Sequence, residues 1–153
     1  MKVIFLDVDG VLNYSKCWER PEHKNNGTFV WDKDCISQLN RIIKETGAKI
    51  VVSSTWRNSK EHYNAVLNKM NIEGEFIGKT PKYVPVDHPD GSQRGDEIQA
   101  WMDSQEIEPI EKFVILDDDA DMRHLIDHLI QSDFMKEGLT KELADEAIQM
   151  LNS

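Results

Sequence analysis

Cysteine is scarce: Cys17 and Cys35 are the chain's two, in 153 residues, and they form no CxxC pair. Two cysteines build no disulfide framework, which predicts a reduced, cytoplasmic setting without disulfide-linked partners. Long apolar runs are missing too. No window reaches ~18 uninterrupted apolar residues, so no membrane span is expected. The run Val3-Ile4-Phe5-Leu6 ends at Asp7, too short for a signal peptide. Basic residues are in deficit: Lys plus Arg number 18 against 28 Asp plus Glu, a formal net charge of −10. That balance suits poorly the sequence-blind coating of nucleic acid, which runs on phosphate neutralisation, but it leaves room for a local basic pocket or a bound cation. There is no internal repeat and no low-complexity tract. The composition is that of a globular chain, with 39% hydrophobic and 30% charged residues. Its length predicts one domain over residues 1–153 with a sizeable core.

Apolar and β-branched runs alternate with helical patterns. Lys2 to Leu6, Lys49 to Val52 and Lys112 to Leu116 read as buried strands, Phe76-Ile77 and Leu129 to Gln131 as weaker ones. Asp32 to Thr46 reads as a helix stopped by Gly47, and Ser59, Arg94 or Gly95, and Thr140 open three more. Residues 78–93, rich in Pro, Gly and Asp, read as a loop. Strands separated by helices predict an α/β fold: a Rossmann-like parallel sheet with helices on both faces, whose ligands sit at the carboxyl ends of the strands.

The three strong strands deliver Asp7-Val8-Asp9-Gly10, Ser53-Ser54-Thr55 and Asp117-Asp118-Asp119 to that one side. Clustered carboxylates need raised pKa values or a cation to relieve their repulsion. Hard oxygen ligands suit Mg²⁺, which takes one or two carboxylates with water and a phosphate oxygen. With charge neutralised, an Asp attacks phosphorus to form an aspartyl-phosphate. A second carboxyl two residues on protonates the leaving oxygen and later activates water. Ser53 and Arg94, the latter at a helix start, suit phosphoryl binding.

Phe5-Leu6-Asp7-Val8-Asp9-Gly10-Val11-Leu12 resembles the first motif of the haloacid dehalogenase (HAD) superfamily, a strand followed by DxDG and an apolar pair. Val51-Val52-Ser53 resembles the second motif, Arg94 the third, and Ile115-Leu116-Asp117-Asp118 the fourth, in order over roughly residues 1–120. Ser53-Ser54-Thr55-Trp56-Arg57, Arg94-Gly95-Asp96-Glu97-Ile98 and Gly138-Leu139-Thr140 are similar to the small HAD domains of RNA-repair proteins, akin to the phosphatase half of polynucleotide kinase-phosphatases. The resemblance implies Asp7 as nucleophile and Asp9 as general acid/base, with phosphate held by Ser53, Ser54 and Arg94. It implies Mg²⁺ bound by Asp7, the Asp9 carbonyl and Asp118, with Asp117 in support. Asp119 departs from the common pattern, and Lys79 rivals Arg94 as the third-motif cation.

Neither the stretch from Asp7 to Ser53 nor that from Ser53 to Arg94 has room for a cap domain of the kind that relatives acting on small metabolites carry. The remaining insert, residues 13–31, contains the turn signal Asn26-Gly27 and predicts a short β-flap. An open site suits a large substrate such as an RNA or DNA 3′-phosphate end. Trp18, Tyr14, Trp56 and Arg57 fall near the mouth, placed to stack on a base or hold a second phosphate; Trp56 and Trp101 also suit plain packing. The alternatives are a small-molecule nucleotidase and a non-catalytic phosphate-binding module. A receiver domain is disfavoured because its acidic pair follows the first strand. Dehalogenation is disfavoured because carbon–halogen relatives lack the second Asp of the first motif. His124 and His128, four apart, lack a third ligand.

Overall fold

The run Lys2–Leu6 forms β1, the central strand of a five-stranded sheet, in a computed structural model that describes residues 1–106 and 108–153. Its neighbours are β2 (Lys49–Val52) and β4 (Lys112–Asp117), with β3 (Phe76–Lys79) and β5 (Leu129–Gln131) at the edges. The order is β3-β2-β1-β4-β5 and every pairing is parallel. Four α-helices are described: α1 (Lys33–Thr46), α2 (Lys60–Asn68), α3 (Arg94–Ser104) and α4 (Lys141–Asn152). This is the expected Rossmann-like α/β arrangement.

Side chains of β1 alternate between two cores, as strand geometry requires. Ile4 and Leu6 pack with Leu39 and Ile42 of α1, Ala65 and Val66 of α2, and Ala147 of α4. Val3 and Phe5 pack with Ile98 and Trp101 of α3 and with Leu125 of a 3₁₀ helix at Arg123–His128. Both faces of the sheet are therefore covered, which is why the strands read as continuous apolar runs. Three helices start where a short polar side chain accepts a backbone N–H: Asp32 from Cys35, Ser59 from His62, and Thr140 from Leu143.

The expected β-flap over residues 13–31 does not form. That segment holds two 3₁₀ helices, Ser15–Glu19 and Pro21–His23, followed by a turn. The Asn26-Gly27 turn is real: the Phe29 N–H donates to the Asn26 carbonyl at 2.9 Å. Its flanks cannot pair as strands. The N–H groups of Cys17, Arg20, His23 and Lys24 are spent on carbonyls three residues back, and Pro21 has none to give. The Trp18 indole ties the segment together by donating to the Gly27 carbonyl at 3.2 Å.

From β1 the chain winds outward through β2 and β3, then returns on the other side through β4 and β5. The winding direction reverses between β1 and β4, and a crevice opens at their carboxyl ends.

Candidate active site

The strand ends are laced together by main-chain bonds. The Asp7 N–H donates to the Leu116 carbonyl and the Ser53 N–H to the Leu6 carbonyl, both at 2.9 Å. This fixes the side chains of Asp7, Asp117 and Asp118 so that a carboxylate oxygen of each lies within 4.8 Å of the others. Asp7 and Asp117 are buried, at 7% and 2% exposure. Burial pushes the Asp7 carboxyl up to about 6, against the pull of the Arg94 guanidinium and the Val8 N–H, with the Asp118 charge adding to the rise. Burial, then the charge of Asp7, pushes Asp117 up to about 9. Asp118 is also raised, first by burial. The three groups fit a hard divalent cation. They supply oxygen donors only, one guanidinium, that of Arg94, offsets only part of the charge of three carboxylates, and Asp117 Oδ2 is buried without a hydrogen-bond partner.

Gly10 makes this approach possible. It sits at φ +85, and a Cβ built there would overlap the Asp118 carboxylate. Any side chain at this position displaces Asp118 and adds backbone strain.

Arg94, the first residue of α3, reaches over the cluster. Its Nη1 lies 3.6 Å from Asp7 Oδ1 and 3.8 Å from Asp117 Oδ2, and it donates to the Ser53 carbonyl. Its Nε lies 3.6 Å from Glu97 Oε1. Ser53 is fully buried, and its hydroxyl has no hydrogen-bond partner. An orphaned hydroxyl beside a guanidinium and three carboxylates can be satisfied by a phosphoryl oxygen.

Asp9 stands apart from the carboxylate cluster. Its Oδ1 accepts from Asn13 Nδ2 at 2.9 Å and from Trp56 Nε1 at 3.1 Å. Asn13 is itself fully buried; its Oδ1 accepts from the Gly10 N–H, and its Nδ2 also donates to the Val30 carbonyl. With two donors on Oδ1, a proton on this carboxyl resides on Oδ2. The loop after β1 thus holds two carboxyls in different environments, one crowded by anions and one held by neutral donors.

Several expected site residues take other roles. Arg57 is 6% exposed and does not reach the mouth. Its guanidinium donates to the carbonyls of Thr80, Ser53, Ser54 and Pro81 and pairs with Glu97 at 3.1 Å. It is a structural pin between β2 and the loop after β3. Trp56 is buried among Phe29 and His62 and offers its N–H to Asp9. The Ser54 hydroxyl caps the 3₁₀ helix Thr55–Asn58 by accepting from the Trp56 N–H. Tyr14 turns away, its hydroxyl accepting from Arg20 at 2.6 Å. Lys79 is exposed and lies 4.7 Å over the Tyr63 ring, so Arg94 is the cation at the cluster. Asp119 is exposed and its Oδ1 accepts from the Ala120 N–H. His124 contacts Gln99, while His128 stacks on Phe113 at 3.9 Å. Cys17 is buried in a 3₁₀ helix.

Asn13 and Glu97 were not expected. The spacing Asp9 to Asn13, one helical turn, was a usable signal for the first. Glu97 was hidden because its partners, Arg57 and Arg94, are distant from each other in sequence.

The chain matches, over residues 3–144, the family model described as HAD domain in Swiss Army Knife RNA repair proteins. No curated protein and no solved structure matches.

Proposed function

This chain belongs to that family of HAD domains found in RNA-repair proteins, and on that premise we propose that it is a Mg²⁺-dependent phosphomonoesterase working through an aspartyl-phosphate. The reading extends to its substrate, a polynucleotide 3′-phosphate end. One observation carries it: a buried Asp7 lies in a three-carboxylate cluster with Arg94 at 3.6 Å, and Ser53 beside it has an unsatisfied hydroxyl. With a divalent cation balancing the carboxylates, a reacting phosphoryl group matches the Arg94 guanidinium and the unpaired Ser53 hydroxyl.

Asp7, Asp118 and the Asp9 carbonyl would hold Mg²⁺, with Asp117 in support. The ion when bound neutralises charge on the phosphoryl oxygens and on the Asp7 carboxylate. An Asp7 carboxylate oxygen attacks phosphorus, and the bond to the leaving oxygen breaks. Asp9 gives its Oδ2 proton to that oxygen, so the organic product leaves as an alcohol. Asp9, now a carboxylate, takes a proton from water as the water oxygen attacks the phosphoryl group. Inorganic phosphate departs and Asp7 is regenerated. Ser53 and Arg94 hold the equatorial oxygens throughout.

The test is p-nitrophenyl phosphate hydrolysis with and without Mg²⁺, by wild type and Asp7→Asn, followed by 3′-phosphorylated oligonucleotides against free mononucleotides. Metal-dependent turnover that Asp7→Asn abolishes is the expected result. Faster turnover of mononucleotides would move the assignment to a nucleotidase. Inactivity on every substrate would leave a phosphate-binding module.

A further inference from the structure

A cavity of about 520 Å³ opens beside Asp9, within the size range of small-ligand sites. Its walls come from three separate parts of the chain: Trp18 from the insert after β1, Trp56 and His62 from the segment after β2, and Phe134 from beyond β5. Trp18 and Phe134 are half-buried, their ring centroids 5.7 Å apart at 56°. The bond from the Trp18 indole to the Gly27 carbonyl fixes that ring. His62 is held against Phe29 and bonded to Thr28 at 2.8 Å. Thr55 and Asn58 stand exposed at the rim, their side chains making no hydrogen bond among the described residues.

We infer that this cavity binds the base of the nucleotide that carries the scissile phosphate. The inference rests on the phosphatase reading above and specifies the leaving group. Asp9 protonates the leaving oxygen, so the organic part of the substrate must lie on the Asp9 side of the phosphoryl group, where the cavity lies. The lining contains no Lys or Arg, and its one carboxylate is Asp9. A second phosphate would meet an anion and no cation there, which removes the alternative that the aromatic residues near the mouth serve a diphosphorylated end. A neutral planar ring matches the aromatic walls, and its polar edge matches Thr55 and Asn58. A phosphoserine peptide would put a single methylene carbon beside Asp9 and leave the walls unmatched.

The experiment compares kcat/KM of the wild type on two 3′-phosphorylated oligonucleotides that differ only in whether the terminal nucleotide bears a base, with p-nitrophenyl phosphate and a phosphoserine peptide alongside. Removing the base is expected to lower kcat/KM about ten-fold or more, in line with the worth of one stacked base. Trp18→Ala is expected to erase that ratio and Trp18→Phe to keep most of it, a pattern that loss of folding would not produce. Turnover of p-nitrophenyl phosphate with equal rates on base-bearing and abasic ends would overturn the inference while leaving the phosphatase reading intact. So would Trp18→Ala with an unchanged ratio, or preference for the peptide. A wild type that turns over none of the four overturns both.

Discussion

Trp56 holds Asp9: the indole N–H donates to Oδ1 at 3.1 Å, joined by the Asn13 amide at 2.9 Å. The indole is buried at 4% exposure, while Asp9 is half-buried beside the cavity. An aromatic side chain expected near the mouth also orients the residue assigned to proton transfer.

Trp56→Phe keeps most of the packing and removes that donor. Hydrolysis of an alkyl phosphate, whose leaving oxygen needs a proton, is expected to slow about ten-fold, a part of the 10²–10⁴ that a general acid supplies. p-Nitrophenyl phosphate leaves without protonation and is expected to slow less. Steady-state kcat on the two substrates checks this, and an equal loss on both would refute the role.

Mg²⁺ is expected to raise the melting temperature of the wild type. At ten times its dissociation constant, a ligand bound only by the native state adds about 1.4 kcal/mol, or roughly 3–6 °C for a chain of this size. Asp118→Asn removes one of the three clustered donors and is expected to abolish most of that shift. A differential scanning titration with Mg²⁺ and with chelator decides it.

Arg57 and Arg94 both flank Glu97, yet they are expected to fail differently. Arg57→Met removes a side-chain donor shared by four carbonyls and leaves the largely buried Glu97 carboxylate with Arg94 alone at 3.6 Å, with an expected loss of ~3 kcal/mol. Arg94→Met leaves Glu97 paired with Arg57. In Mg²⁺ it is expected to melt near the wild type while losing roughly 100-fold or more in kcat/KM. Thermal melts beside kinetics separate the two, and a stable but inactive Arg57→Met would return Arg57 to the substrate site.

Asp96 anchors the start of α3, the helix that presents Arg94. Burial raises its carboxyl, but the Gln93 N–H and the Arg123 guanidinium outweigh that and hold it below its ordinary value of 3.8. Arg123 Nε lies 2.8 Å from Asp96 Oδ2. A depressed carboxyl stabilises the fold above its unfolded-state pKa, and that stability is lost as pH falls through the folded value. Asp96→Asn is therefore expected to cost about 1–2 kcal/mol at pH 7, with the gap from wild type closing below about pH 4. Urea melts at pH 7 and pH 3 test the sign.

Local pattern determined much of this protein. Continuous apolar runs at β1, β2 and β4 predicted a sheet buried on both faces, because a strand with no solvent face needs no polar alternation. Asp32, Ser59 and Thr140 predicted helix starts because capping acts within three residues. Parallel order then placed Asp7, Ser53 and Asp117 on one side without further information. What tertiary structure decided lies beyond the reach of neighbouring residues. The insert at 13–31 carried a genuine turn signal, but hairpin pairing depends on free donors along both flanks, and these closed locally into 3₁₀ turns. Arg57 and Arg94 are alike as letters. Burial against Thr80 and Pro81 makes one a structural pin, and a helix start above three carboxylates makes the other the cation of the site. Charge and hydrogen-bonding capacity are written in the sequence, but the solvent and partners that give them meaning come from segments far apart in the chain, and only packing brings those together.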